Sequence, residues 1–122
     1  MALRFLLHEL YHMYQRASMN GTLKPNAKYP SKDKLDEWRK PYITPDLHTT
    51  LHHKQQFEAD ANIFAYDKMK ELGFDDDKEL LEFIKLANQP LTPKESFEYE
   101  AIIKHLTGKI VQSSPSDERS QY

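Results

Sequence analysis

Residues 6–15, Leu6-Leu7-His8-Glu9-Leu10-Tyr11-His12-Met13-Tyr14-Gln15, set two histidines around a glutamate in the order H-E-x-x-H. On a helix, side chains four apart share a face, so the imidazoles of His8 and His12 stand one turn apart and can point at one zinc ion. Glu9 is turned about 100° from His8 and can reach a water beside the ion without ligating it. Zinc lowers the pKa of such a water to about 7, and a carboxylate can take its proton as the water attacks a carbonyl. The same carboxylate can return that proton to a leaving amine. The competing reading is the polar edge of an amphipathic helix, and a third ligand decides between them.

Outward from the motif, residues 3–18 contain neither Gly nor Pro. Leu3, Leu6, Leu7, Leu10, Met13 and Tyr14 recur at three- and four-residue spacing, which predicts a helix with one buried apolar face. Asn20-Gly21 closes it, since both tolerate the left-handed backbone. Pro25, Pro30, Pro41 and Pro45 then punctuate a lysine-rich connection. Its single amphipathic piece, residues 31–40, predicts a brief helix capped by Ser31. Long connections in compact domains are usually functional or flexible. Trp38, Tyr29 and Tyr42 are its aromatic anchors, expected to pin it to the helices; lining a substrate groove is the lesser alternative.

A second helix is predicted from between Asp46 and His52 to Leu72, with Gly73 as its C-cap and Phe74 for the accompanying apolar contact. A third spans residues 76–88, with acidic residues in its first turn, where the helix dipole favours them. A fourth opens on the capping box Thr92-Pro93-Lys94-Glu95 and closes at Gly108. Leu80, Leu81, Phe83, Ile84, Ile102, Ile103 and Leu106 are core candidates. His105 reads as structural or exposed. The tail 111–122 is polar and expected to be disordered.

The second helix supplies the third ligand. Glu58 and Asn62 are four apart and share a face, while Phe57, Ala61, Phe64 and Ala65, with Ile63 and Met69, form its packing surface. Small Ala61 and Ala65 let this helix approach the first one closely. Glu58 completes a His-His-Glu set with the fourth position open, as a catalytic zinc requires. Asn62 is placed to support the ligands by hydrogen bonding. Tyr66, His52 and His53 are candidates for stabilising a transition state. His48 and His52 share helical spacing but lack the partner carboxylate, and read as a polar helix start.

His8-Glu9-Leu10-Tyr11-His12 followed by Glu58-Ala59-Asp60-Ala61-Asn62-Ile63-Phe64-Ala65 resembles the ImmA/IrrE-type metallopeptidases, whose second motif reads approximately E-x-[ED]-A-[ND]-x-F-A. The likeness covers roughly residues 3–72. It implies a zincin-like fold of the gluzincin kind, with His8, His12 and Glu58 on Zn2+ and Glu9 as catalytic base. It also implies an intracellular protein substrate, often a transcriptional repressor in that family. Zincins place a small sheet before the active-site helix, yet only seven residues precede His8 here. Three accounts stand: Met1 is an internal methionine of a longer protein, the sheet is rebuilt from 22–50, or it is missing. If it is missing or degenerate, the alternative function is a zinc-containing protein-binding module that cleaves nothing.

The remaining composition sets limits. The chain has 122 residues, enough for one domain. Residues 1–110 are expected to form it, with a proline-containing insertion at about 21–47. The fold class expected is mainly α, or α+β if a small sheet is present. With 17 basic and 19 acidic side chains there is no electrostatic argument for nucleic acid or a membrane surface. No cysteine is present, so any metal falls to His, Asp or Glu. No apolar run is long enough to span a bilayer. A cytoplasmic protein is the expectation.

Overall fold

The computed structural model describes residues 2–24, 26–74 and 77–111. They form six helices: α1 (Ala2–Asn20), α2 (Lys32–Trp38), α3 (Thr49–Lys54), α4 (Gln56–Glu71), α5 (Lys78–Asn88) and α6 (Pro93–Val111). No strand occurs among the described residues, so the mainly-α expectation holds and the described residues of 22–50 rebuild no sheet. The tail 112–122 lies outside the described residues. None of the described helices is long and apolar enough to cross a membrane.

Local chemistry marks most boundaries where the sequence places them. Gly21 and Gly73 adopt positive φ, 70° and 92°. At the end of α4 the Phe74 N–H donates to Met69 O at 2.7 Å and Gly73 N–H to Lys70 O at 3.0 Å, the paired bonds of a Schellman closure. The Phe74 ring nevertheless stays exposed. Asp77 caps α5 by accepting from the Leu80 N–H at 3.0 Å. Thr92 and Glu95 form the reciprocal capping box of α6, at 3.1 and 2.9 Å. That helix continues past Gly108 to Val111.

The expected second helix is two. Gln55 is extended, with φ −66° and ψ 144°, and separates α3 from α4. Its side-chain amide accepts from the Ile43 N–H at 3.0 Å and donates to the Ile43 carbonyl at 2.8 Å. The break therefore gives the preceding connection a backbone partner. His48 is the N-cap of α3, its Nδ1 accepting from the Leu51 N–H at 3.2 Å.

Helix α1 lies along α4, which also packs on α5; α3 joins α4 and α5, and α2 bridges α1 and α4. Ala65, Met69 and Leu80 form a buried cluster, with Leu3, Leu7, Tyr66 and Phe83 packed on it. Of the apolar residues expected in the core of α5 and α6, Leu80 alone is fully buried; Leu81, Phe83, Ile84, Ile102, Ile103 and Leu106 are half-buried. Helix α6 is tied to the body by Lys54–Glu95 at 2.8 Å and His48–Glu98 at 3.1 Å. Truncating Leu80 to Ala should lower stability by about 2–5 kcal/mol, because it opens a cavity under α1, α4 and α5. Urea unfolding measures it, and a loss below half a kilocalorie would place the core elsewhere.

Helix α1 buries only part of the apolar face expected of it: Leu3, Leu7 and Tyr14 are half-buried, Leu3 and Leu7 against the core cluster. Its buried face carries His12, Gln15 and Ser18, with Gln15 at 0% exposure. Leu6, Leu10 and Met13 face water at 56%, 45% and 62%. Burying each of those three completely would contribute about 1.5–3 kcal/mol, a gain that a rotation of the helix would set against the loss of Leu3 and Leu7 from the core. What holds it is the polar face of α4, where buried Glu58 and Asn62 stand beside Ala61 and Ala65. Buried polar groups are tolerated only when they satisfy one another.

Candidate metal centre

Histidines 8 and 12 and Glu58 meet where α1 crosses α4. His8 Nε2 lies 3.1 Å from Glu58 Oε1, and His12 Nε2 lies 3.0 Å from Glu58 Oε2. The His8 and His12 rings meet edge to face, 4.4 Å between centroids. The His12 ring stacks on Phe57 at 4.5 Å, nearly parallel. Both Glu58 and His12 are buried.

The tautomer of His12 follows from its neighbour. Gln15 Nε2 donates to the Phe57 carbonyl at 2.9 Å, which leaves Gln15 Oε1 as an acceptor. His12 Nδ1, 2.7 Å from that oxygen, is then the donor, and Nε2 is the nitrogen aimed at Glu58. This is the arrangement of a metal-ligating imidazole, one ring N–H fixed by an oxygen and the other nitrogen free for the ion. Ligands at about 2.0–2.2 Å from one tetrahedral ion stand about 3.3 Å apart. The two N···O separations are near that, each to a different oxygen of Glu58, so the residue types and these separations are compatible with a divalent metal ion.

Glu9 is on the exposed edge of the same helix. It, His8 and His12 offer ligand atoms all within 4.8 Å of one another, a group that could hold a metal ion. These residues open onto a cavity of about 450 Å³. Asn62, His52 and His53 line it, and Phe5, Leu80 and Phe83 form an apolar side. Asn62 is buried one turn beyond Glu58; the hydrogen bonds that hold the ligand side chains come from Gln15 and from Tyr42, whose Oη donates to Glu58 Oε2 at 2.9 Å.

The three candidate stabilisers separate. His52 Nε2 is 3.7 Å from Glu58 Oε1, and its Nδ1 is 2.9 Å from the Ile43 carbonyl. His53 stacks on Phe83 at 4.3 Å, and burial followed by the charge of His52 lowers its pKa. Tyr66 instead packs against the Ala65–Met69–Leu80 cluster. Eight residues on from Glu58, the helical period has carried it about 80° round from the ligand.

Sequence reasoning missed Gln15 and Tyr42. Gln15 follows His12 by three, on the same helix face, and that spacing was the available signal. Tyr42 sits in an irregular segment without periodicity, and nothing local marks it. Trp38 does pin its segment as expected: it is buried, and its Nε1 donates to Asp60 Oδ2 at 2.7 Å. Tyr29 makes a local contact, its hydroxyl accepting from the Leu23 N–H at 3.2 Å.

Without metal, burial and hydrogen bonding act on His12 and Glu58 in opposite directions. Burial works against a charged His12, but hydrogen bonds with Glu58 and Gln15 outweigh it and raise the pKa above 6.5. Burial likewise opposes a charged Glu58, yet hydrogen bonds from His12 and His8 hold it well below the usual carboxylate value of 4.5. The histidine contributes stability that is complete below 6.5 and lost as pH rises through its folded value. The carboxylate contributes stability present above 4.5 and lost as pH falls through its folded value. Metal-stripped protein should therefore melt highest between about pH 4.5 and 6.5. Thermal melts in chelator across pH check this; a melting temperature still climbing above neutrality contradicts the charged ring.

No protein family, curated protein or solved structure matches this chain.

Proposed function

We propose that the protein is a zinc-dependent metallopeptidase, with His8, His12 and Glu58 as ligands and Glu9 as general base. The observation that carries this reading is the convergence of two imidazole nitrogens on one buried carboxylate from two helices, at 3.0 and 3.1 Å. Bound zinc would act as a Lewis acid, polarising a substrate carbonyl and acidifying water. The Glu9 carboxylate, exposed in the cavity wall, takes the proton of the attacking water and delivers it to the leaving amine nitrogen. Gln15 fixes the tautomer of His12, and Asn62 lines the same cavity one turn beyond Glu58. His52 or His53 supplies a donor toward the oxygen on which charge develops.

The resemblance to ImmA/IrrE-type enzymes supports a zincin-like core and an intracellular protein substrate, such as a transcriptional repressor, in a cytoplasmic setting. Metal analysis of purified protein tests the centre. About one zinc per chain is expected, and a protein that takes up none after zinc dialysis ends this reading.

A second reading is a zinc-containing module that binds a partner and cleaves nothing. The water-exposed row Leu6, Leu10 and Met13 on the ligand-bearing helix favours it, because a large apolar patch commonly marks a binding surface. Zinc-loaded protein that holds a partner and leaves it intact selects this reading.

A further inference from the structure

The connection between α2 and α3 delivers one hydroxyl to the metal centre. Tyr42 Oη donates to Glu58 Oε2 at 2.9 Å, the oxygen that also lies 3.0 Å from His12 Nε2. A glutamate side chain has three rotatable torsions, so a carboxylate held from one side alone keeps several orientations. Here the imidazoles of His8 and His12 and the phenol of Tyr42 hold it together.

The backbone around Tyr42 is fixed far more firmly than a linker requires. Ile43 is fully buried. Its N–H and carbonyl are both bound by Gln55, at 3.0 and 2.8 Å, and the carbonyl also lies 2.9 Å from His52 Nδ1. Pro41 restricts φ on the other side. Four residues before Tyr42, Trp38 is bonded to Asp60, two positions beyond Glu58 on α4. The segment is thus anchored on both sides of Tyr42, once to α4 itself and once to the break where α4 begins. The Tyr42 ring stands edge-on to Phe57 and His52, at 5.8 and 5.7 Å.

The geometry points to Tyr42 as the positioning residue of the third ligand: its hydroxyl aims the Glu58 carboxylate at His8 and His12, and the anchored segment 38–43 thereby sets the metal affinity of the centre. This rests on the metal-binding reading above. The proline-containing connection is then part of the metal site, and its length is what carries a phenol from the end of α2 to the start of α4.

Tyr42→Phe removes the oxygen and keeps the ring packing. Zinc affinity, measured by competition with a chromogenic chelator, should fall about 10–100-fold, the effect of losing a partner that orients a ligand. The helical circular dichroism of the metal-free variant should match the parent. Because the hydroxyl acts through the carboxylate, Tyr42→Phe in a Glu58→Gln background should change the residual zinc affinity by less than about twofold. Parent-like affinity in Tyr42→Phe overturns the inference while leaving the metal centre standing. An equal loss in both backgrounds also overturns it, since a general packing role would produce that. A parent chain that takes up no zinc overturns the metal reading and this one together.

Discussion

Replacing Glu9 with Gln is expected to lower peptide cleavage by about 10²–10⁴-fold, the usual worth of a positioned general base. Zinc content should remain at about one per chain. The two results come apart because of where the side chain sits. Glu9 is exposed on α1, while the nitrogens of His8 and His12 and the oxygens of Glu58 meet on the buried side. Glutamine keeps the shape and removes the proton acceptor, so the fold and the ligands are untouched. Cleavage of a mixed set of quenched fluorescent peptides, with metal analysis on the same samples, reads both quantities. A variant that cleaves as fast as the parent would remove Glu9 from the reaction.

Replacing Glu58 with Ala should reduce zinc affinity by more than about 100-fold, beyond the range for partners that only orient a ligand. It should also destabilise the metal-free fold by about 3–5 kcal/mol, because a buried charged partner is left uncompensated. His12 Nε2 and Tyr42 Oη would both face a void in place of a carboxylate. Glu58→Gln separates the two effects: it retains the shape and one acceptor oxygen, so it should fold better than the alanine variant and still bind zinc poorly. Equilibrium dialysis against zinc, paired with urea unfolding in chelator, measures them. Zinc retained at parental affinity in Glu58→Gln would exclude Glu58 from the ligand set.

The exposed stripe of α1 bears on both experiments. A helix that packs Leu3 and Leu7 on the core yet leaves Leu6, Leu10 and Met13 in water and buries Gln15 and Ser18 departs in part from hydrophobic patterning. Local patterning and tertiary arrangement usually agree in natural proteins, and conflicts between them concentrate at functional sites. The conflict here falls on the two helices that carry His8, His12 and Glu58, and the buried groups answer one another with hydrogen bonds.

What the sequence determined by itself is the part governed by short-range chemistry. The helix spanning His8 and His12, its closure at Gly21, the Schellman turn at Gly73 and the Thr92–Glu95 box each depend on residues within a turn or two of one another. The i, i+4 placement of His8 with His12 and of Glu58 with Asn62 is likewise a property of the helical period. Tertiary structure alone decided which face of α1 is buried. The hydrophobic period placed Leu3 and Leu7 correctly against the core but also expected Leu6, Leu10 and Met13 inside, where the polar partner surface on α4 takes His12, Gln15 and Ser18 instead. It alone divided the helix at Gln55, whose amide is taken by Ile43, twelve residues upstream. And it alone brought Tyr42 to Glu58, since a contact made from an irregular segment has no period by which a sequence could announce it.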